Sequence, residues 1–276
     1  MPAARRRTLR AAIPDRLEKL TGEEFVTEET QPRLELKAVS KRFGGLHAVE
    51  DVNLRLRAGD RHGILGPNGA GKTTLFHLIT GVLPVTSGRI SLFGQDVTRW
   101  PTHQRTALGM ARTFQITSLF PKLTVLDNVL LAVQGVRPMK LVMWRPIARY
   151  RNMYDKAEQL LTDANFWHLR SQQVRNLSHG EQRQLEVVLG LASDPKVLLL
   201  DEPSAGLATG ESREMARFLN SLDPDLSILI IEHDLDVLFG VVSDITVLHY
   251  GKVLCEGPCD EVRTNHQVKE IYLGRG

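Results

Sequence analysis

Gly66-Pro67-Asn68-Gly69-Ala70-Gly71-Lys72-Thr73-Thr74 decides how the rest of the chain is read. Its spacing is glycine, four residues, then Gly-Lys-Thr. The run Arg61 to Leu65 precedes it, and a stretch with Leu75, Leu78 and Ile79 on one helical face follows. Strand, glycine-rich loop and helix in that order is the context in which this spacing makes a phosphate-binding loop. Gly66, Gly69 and Gly71 let backbone N–H groups converge on phosphate oxygens, and the positive end of the helix faces the same anion. Lys72 adds a point charge, and Thr73 offers a hydroxyl to Mg²⁺.

Outward from this loop the pattern is that of an α/β protein. Val52, Leu54 and Leu56 alternate with Asn53, Arg55 and Arg57, which predicts a half-buried strand closed by a turn at Gly59-Asp60. Val197 to Leu200 and Ile228 to Ile231 are unbroken apolar runs, as expected of strands covered on both faces. Such strands imply a parallel sheet with helices packed on either side. Between Thr117 and Asn176 amphipathic stretches dominate, Asp155 to Thr162 most clearly, and we read an inserted helical subdomain at about residues 117–190.

Two further segments carry chemistry. The Val197 run ends in Asp201-Glu202, at the strand end where ligands sit in open α/β sheets. Asp201 is placed to join a Mg²⁺ shell, and Glu202 to orient or deprotonate an attacking water. Leu177-Ser178-His179-Gly180-Glu181-Gln182 leads into a helix with Leu185, Val188 and Leu189 on one face. It reads as a phosphate-binding helix start, with Ser178 and the Gly180 N–H as donors, and equally as a capping box of Ser178 with Glu181.

Composition sets the outer limits. The chain has 276 residues, 42% hydrophobic and 24% charged, with 35 Lys plus Arg against 32 Asp plus Glu. This excludes a chain that is collagen-like or disordered throughout. No apolar run approaches the roughly 18 to 20 residues that cross a bilayer. Residues 1–32 begin basic (Arg5, Arg6, Arg7, Arg10) and turn acidic (Glu23, Glu24, Glu28, Glu29); we read a flexible tail and expect no nucleic-acid partner. Cys255 and Cys259 lack the second ligand pair of a zinc site.

Together these segments resemble the nucleotide-binding subunit of ABC transporters over about residues 34–273. The resemblance rests on the order of Gly66 to Thr74, Gln115 after Arg112-Thr113-Phe114, Leu177 to Gln182, Asp201-Glu202, and His233 in Ile231-Glu232-His233-Asp234. It implies a P-loop NTPase core with a parallel sheet, an antiparallel β subdomain and the helical insertion, all within residues 33–276. ATP and Mg²⁺ are the implied cofactors. Gly66, Asn68, Gly69, Gly71, Lys72, Thr73 and Thr74 would bind the nucleotide, and Phe43 would stack on its base. Ser178, Gly180 and Glu181 would meet the ATP held by a second copy. Thr73, Gln115 and Asp201 would attend Mg²⁺; Glu202, His233 and Gln115 would be catalytic.

Three departures from the family pattern stand out: His179 and Glu181 in the Leu-Ser-His-Gly-Glu segment, Ala208 where aspartate is common, and the unmatched N-terminal tail. The Ser204-Ala205-Gly206-Leu207 stretch, the insertion containing Met143-Trp144-Arg145-Pro146, and the ending Ile271-Tyr272-Leu273-Gly274 are similar to branched-chain amino acid importers and their urea and amide relatives. That likeness implies a homodimer, or a heterodimer with a second ABC ATPase, beneath two transmembrane permease subunits on the cytoplasmic face of the plasma membrane. A solute-binding protein would be an indirect partner. The alternatives are the ATPase of a lipopolysaccharide-type exporter and a soluble non-transport ABC switch.

Overall fold

A computed structural model describes residues 31–113, 119–135 and 151–273. The chain divides between Gln31 and Pro32. Gln115, the Met143 to Pro146 segment and residues 1–30 of the expected tail lie outside the described residues.

After β1 (Leu34–Phe43) and β2 (Leu46–Leu56) come β3 (Arg61–Leu65), the glycine-rich loop and α1 (Lys72–Thr80). Next are β4 (Ser87–Leu92), β5 (Gln95–Asp96), α2 (Thr102–Ala107) and β6 (Met110–Arg112). The helices α3 (Val125–Gly135), α4 (Arg151–Asp163) and α5 (His179–Leu191) pack on one another. There follow β7 (Val197–Asp201), α6 (Thr209–Ser221), β8 (Ser227–Ile231), α7 (Leu235–Val241), β9 (Asp244–His249), β10 (Lys252–Pro258), α8 (Cys259–Thr264) and α9 (His266–Leu273).

Among the described residues the strands form two sheets. One is antiparallel, in the order β2-β1-β4-β5; the other runs β10-β9-β3-β8-β7-β6, parallel except for β10. The alternation in β2 is realised, with Val52, Leu54 and Leu56 buried and Asn53 and Arg55 exposed. The unbroken runs of β7 and β8 are buried at every position. Their side chains divide by parity because successive residues point to opposite faces. Leu198, Leu200, Ile228 and Ile230 join the core beneath α3 to α6, while Val197, Leu199, Leu229 and Ile231 pack with α1 and the antiparallel sheet. Burying one such aliphatic side chain is worth about 1.5–3 kcal/mol.

The helix that follows the glycine-rich loop is fixed at its far end by Arg105. This side chain is only 1% exposed, and its Nη1 donates to the carbonyls of Leu78 at 2.8 Å and Ile79 at 2.6 Å. Its Nε and Nη2 donate to the carbonyls of Trp100 and Thr98. Burial lowers the guanidinium pKa to about 10, still charged at neutral pH. A buried cation therefore satisfies the last carbonyls of α1, where the helix dipole is negative.

Candidate nucleotide-binding site

Parallel pairing builds the site. Ile64 of β3 and Asp201 of β7 are both in register with Ile231 of β8. The segments leaving these three strands therefore start side by side at the carboxyl edge of the sheet. They are the glycine-rich loop, Asp201-Glu202 and Glu232-His233.

Close approach explains two of the three glycines of the loop, and at Gly69, where a Cβ would meet nothing within 4 Å, the reason is a left-handed backbone with φ 80°. A Cβ on Gly66 would lie 2.5 Å from the Leu248 carbonyl oxygen, and one on Gly71 would lie 2.3 Å from that of Ala48. Gly71 also has φ 103°, a left-handed backbone that caps α1 without a side chain. Lys72 is buried, and its Nζ donates to the carbonyls of Gly66 at 2.6 Å and Pro67 at 3.2 Å. Burial pushes its ammonium below the usual range, against Glu202 and Asp201, whose charges favour the protonated form. Phe43, Asn68, Gly69, Gly71, Lys72, Thr73, Thr74 and Glu202 line one cavity of about 430 Å³. Phe43, at the end of β1, is 47% exposed, with Lys41 Nζ 5.1 Å from its ring centre.

The adjacent carboxylates diverge. Asp201 is buried and accepts from Arg112 Nη2 at 2.6 Å. Glu202 takes a left-handed backbone with φ 52°, unusual for a residue before proline, and its N–H donates to the Ile231 carbonyl at 2.9 Å. This turns its side chain toward His233, whose Nε2 lies 2.5 Å from Glu202 Oε1. The arrangement joins a carboxylate that can accept a proton to an imidazole that can exchange one.

Behind this pair is Glu232, a residue the sequence reading passed over. It is 1% exposed and accepts from the backbone N–H groups of Ser204 at 2.7 Å and His233 at 3.0 Å. Burial raises its pKa, opposed by these hydrogen bonds. One carboxylate thus ties the segment after Glu202 to the segment carrying His233. The only hint in the sequence is an acid directly after a buried strand.

Ser178, Gly180 and Glu181 are not among the residues lining the phosphate-loop cavity. They start α5, where the capping box is complete: Ser178 Oγ accepts from Glu181 N–H at 3.1 Å, and Glu181 Oε2 accepts from Ser178 N–H at 2.7 Å. The Gly180 N–H donates instead to Glu211 Oε1 of α6 at 3.1 Å, while Glu211 Oε2 accepts from Ala208 N–H at 3.1 Å. Ala208 has no side-chain oxygen with which to cap α6, so Glu211 supplies that helix start alone. These two hydrogen bonds, the Ala208 one first, hold the Glu211 carboxyl below its usual range.

The ABC transporter family pattern matches residues 49–205. The chain is 35% identical over 254 residues to the high-affinity branched-chain amino acid transport ATP-binding protein LivG of Escherichia coli K12, covering 89% of this chain and 99% of the relative. It is also 35% identical over 244 residues to the probable LivG of Archaeoglobus fulgidus, covering 87% and 95%. Among solved structures, it resembles the ADP conformation of an ATP-binding cassette of an ABC transporter, with a TM-score of 0.79 and 29% identity, over 89% of this chain and 100% of that one. A nucleotide-free cassette gives 0.78 at the same identity, over 88% and 100%. Its phosphate loop, its paired strand-end carboxylates and these likenesses along most of its length agree, and the chain belongs to the ABC transporter family as an ATP-binding subunit that couples ATP hydrolysis to transport.

Proposed function

We propose that this chain energises import of branched-chain amino acids, or of related small polar solutes such as urea or amides, through two membrane permease subunits. The near full-length likeness to LivG proteins of a bacterium and an archaeon carries this reading. Among the described residues no helix is long and apolar enough to cross a membrane; in this reading the permeases form the pathway for the solute. We place the chain on the cytoplasmic face of the membrane.

In this reading Phe43 stacks on the base, and the loop from Gly66 to Thr74 with Lys72 holds the β- and γ-phosphates. Glu202 receives the proton of the attacking water, and His233 holds that water and the γ-phosphate in line. Ser178 and Gly180 of a second copy, or of a related ATPase, close over the same phosphates, with Glu181 fixing their helix start. Thr73, Asp201 and Gln115 would hold Mg²⁺. The donors fit: Asp201 offers a carboxylate and Thr73 a hydroxyl, both hard oxygens. Such a set suits an ion bound largely by phosphates and water. Mg²⁺ would neutralise charge developing on the transferred phosphoryl group.

The test pairs enzymology with transport. Glu202→Gln should slow ATP turnover by about 10²- to 10⁴-fold, roughly 3–5 kcal/mol in barrier, while ATP still binds. Turnover within about threefold of the unaltered chain would remove Glu202 from the chemistry. Proteoliposomes holding the permeases and this chain should take up labelled leucine, with the solute-binding protein and internal ATP. Uptake of no branched-chain amino acid, urea or amide would refute the importer reading.

A further inference from the structure

β9 and β10 are joined by a two-residue hairpin loop, Tyr250-Gly251, across which His249 and Lys252 pair. Both loop residues have positive φ, 46° at Tyr250 and 80° at Gly251. This is the mirror-image turn favoured between right-twisted strands, and it selects Asn or Asp before glycine. Short polar side chains tolerate left-handed backbone, whereas a bulky residue there is strained. Tyrosine is thus the wrong residue for the turn. Burial does not compensate, because Tyr250 is 78% exposed, with the His249 ring 4.3 Å from its own.

The position of the hairpin explains the residue better than its conformation does. Gly251 N–H donates to the Ala70 carbonyl of the phosphate loop at 2.9 Å, and Glu50 N–H donates to the Gly251 carbonyl at 2.7 Å. A Cβ on Gly251 would come 2.9 Å from the Ala48 carbonyl oxygen, so the backbones are in close contact. The hairpin tip is therefore bound to both the phosphate loop and β2. Tyr250 lines the same cavity as Phe43, Leu46 and the loop residues Asn68 to Thr74. Phe43 and Leu46 are themselves exposed, at 47% and 66%. The cavity has a polar floor that suits phosphates and an apolar, partly aromatic rim that suits a flat ring.

We propose that Tyr250 is a specificity-determining residue of the nucleotide site, its ring packing against the nucleoside half of the ATP whose phosphates the loop holds. The assignment rests on the ATP reading of that cavity. Phe43 and Tyr250 then act together, and the strained turn is the cost of placing the second ring.

The experiment is calorimetric titration of the full chain with MgATP and with magnesium tripolyphosphate, which has the phosphates and no nucleoside. Tyr250→Asn supplies the residue that the turn favours, so its Tm should be equal or higher. Its Kd for ATP should rise about 5- to 20-fold, the effect of losing one aromatic stack, while that for tripolyphosphate stays within about twofold. Tyr250→Phe should keep ATP affinity within about twofold, because the ring remains. Unchanged ATP affinity in Tyr250→Asn would overturn the proposal. Equal weakening for both ligands would also overturn it, assigning the loss to the hairpin's hold on the phosphate loop. If the unaltered chain bound tripolyphosphate but gained nothing from the nucleoside, the nucleotide reading itself would fall, and this assignment with it.

Discussion

The starts of α1 and α5 both carry glycine, and they are finished in opposite ways. At α1 the cap is Gly71, which has no side chain to bond the first turn, and that turn carries no acidic residue of its own. At α5 Ser178 and Glu181 close a capping box, and Glu211 adds a second carboxylate against the Gly180 N–H. Both helix starts present the same positive dipole end. The first is suited to an anion from outside, whereas the second meets its needs from within the chain. Sequence alone makes the two look alike as phosphate sites. On the proposed reading, a γ-phosphate reaching Gly180 must exchange with Glu211, so assembly of the ATP sandwich includes breaking an internal contact.

The comparison breaks first at α1. Lys72→Ala should lower kcat/KM for ATP by about 10³-fold or more, about 4 kcal/mol, because the loop loses its fixed charge. Steady-state turnover within tenfold would show that α1 is not the nucleotide anchor. At α5, Ser178→Ala should cost about 0.5–2 kcal/mol of stability in urea unfolding, the usual worth of an N-cap. It should also reduce the dimer's ATPase activity and leave nucleotide binding by the monomer intact; equal loss of both would contradict a role in trans.

Glu211→Gln sharpens the contrast by weakening the internal carboxylate without changing its shape. In a Glu202→Gln background, ATP-induced dimerisation followed by analytical ultracentrifugation should tighten about 3- to 10-fold, since a charged acceptor competing for Gly180 is neutralised. Weaker dimerisation would make Glu211 a support of the α5 start rather than a competitor. The smallest effect is on pH. Glu211 has a folded pKa below its ordinary 4.5, so its contribution to stability is present above that value and is lost as pH falls through the folded one. The Gly180 amide resonance should hold steady from pH 7 to about 5 and move only under stronger acid. Movement across pH 7 to 5 would assign the contact to another titrating group.

Legibility followed sequence distance. The glycine-rich loop is a local object: nine consecutive residues, with Gly66 and Gly71 at positions where a Cβ would strike Leu248 or Ala48. The buried strands were equally readable, because Val197 to Leu200 and Ile228 to Ile231 leave no polar position for water. The capping box was readable because its partners are three residues apart. Arg112 on Asp201 spans 89 residues, Glu232 on Ser204 spans 28, and Glu211 on Gly180 spans 31. No periodicity or motif spacing marks such pairs. Ala208 was noticed as a departure, but the consequence, an α6 start held by Glu211 alone, needed the fold.

What the amino-acid order determined without help was the character of each segment: a glycine-rich loop ending in Gly-Lys-Thr, acids at the end of a buried strand, and a histidine after another. Those traits reside in residue types a few positions apart, and local backbone geometry expresses them. Tertiary structure decided which acid stays buried on Arg112 and which turns to His233, where Glu232 fastens two loops together, and that Tyr250 lines the same cavity as the glycine-rich loop. Those outcomes depend on strand register and on the closeness of remote backbones, which form only when the whole sheet has paired.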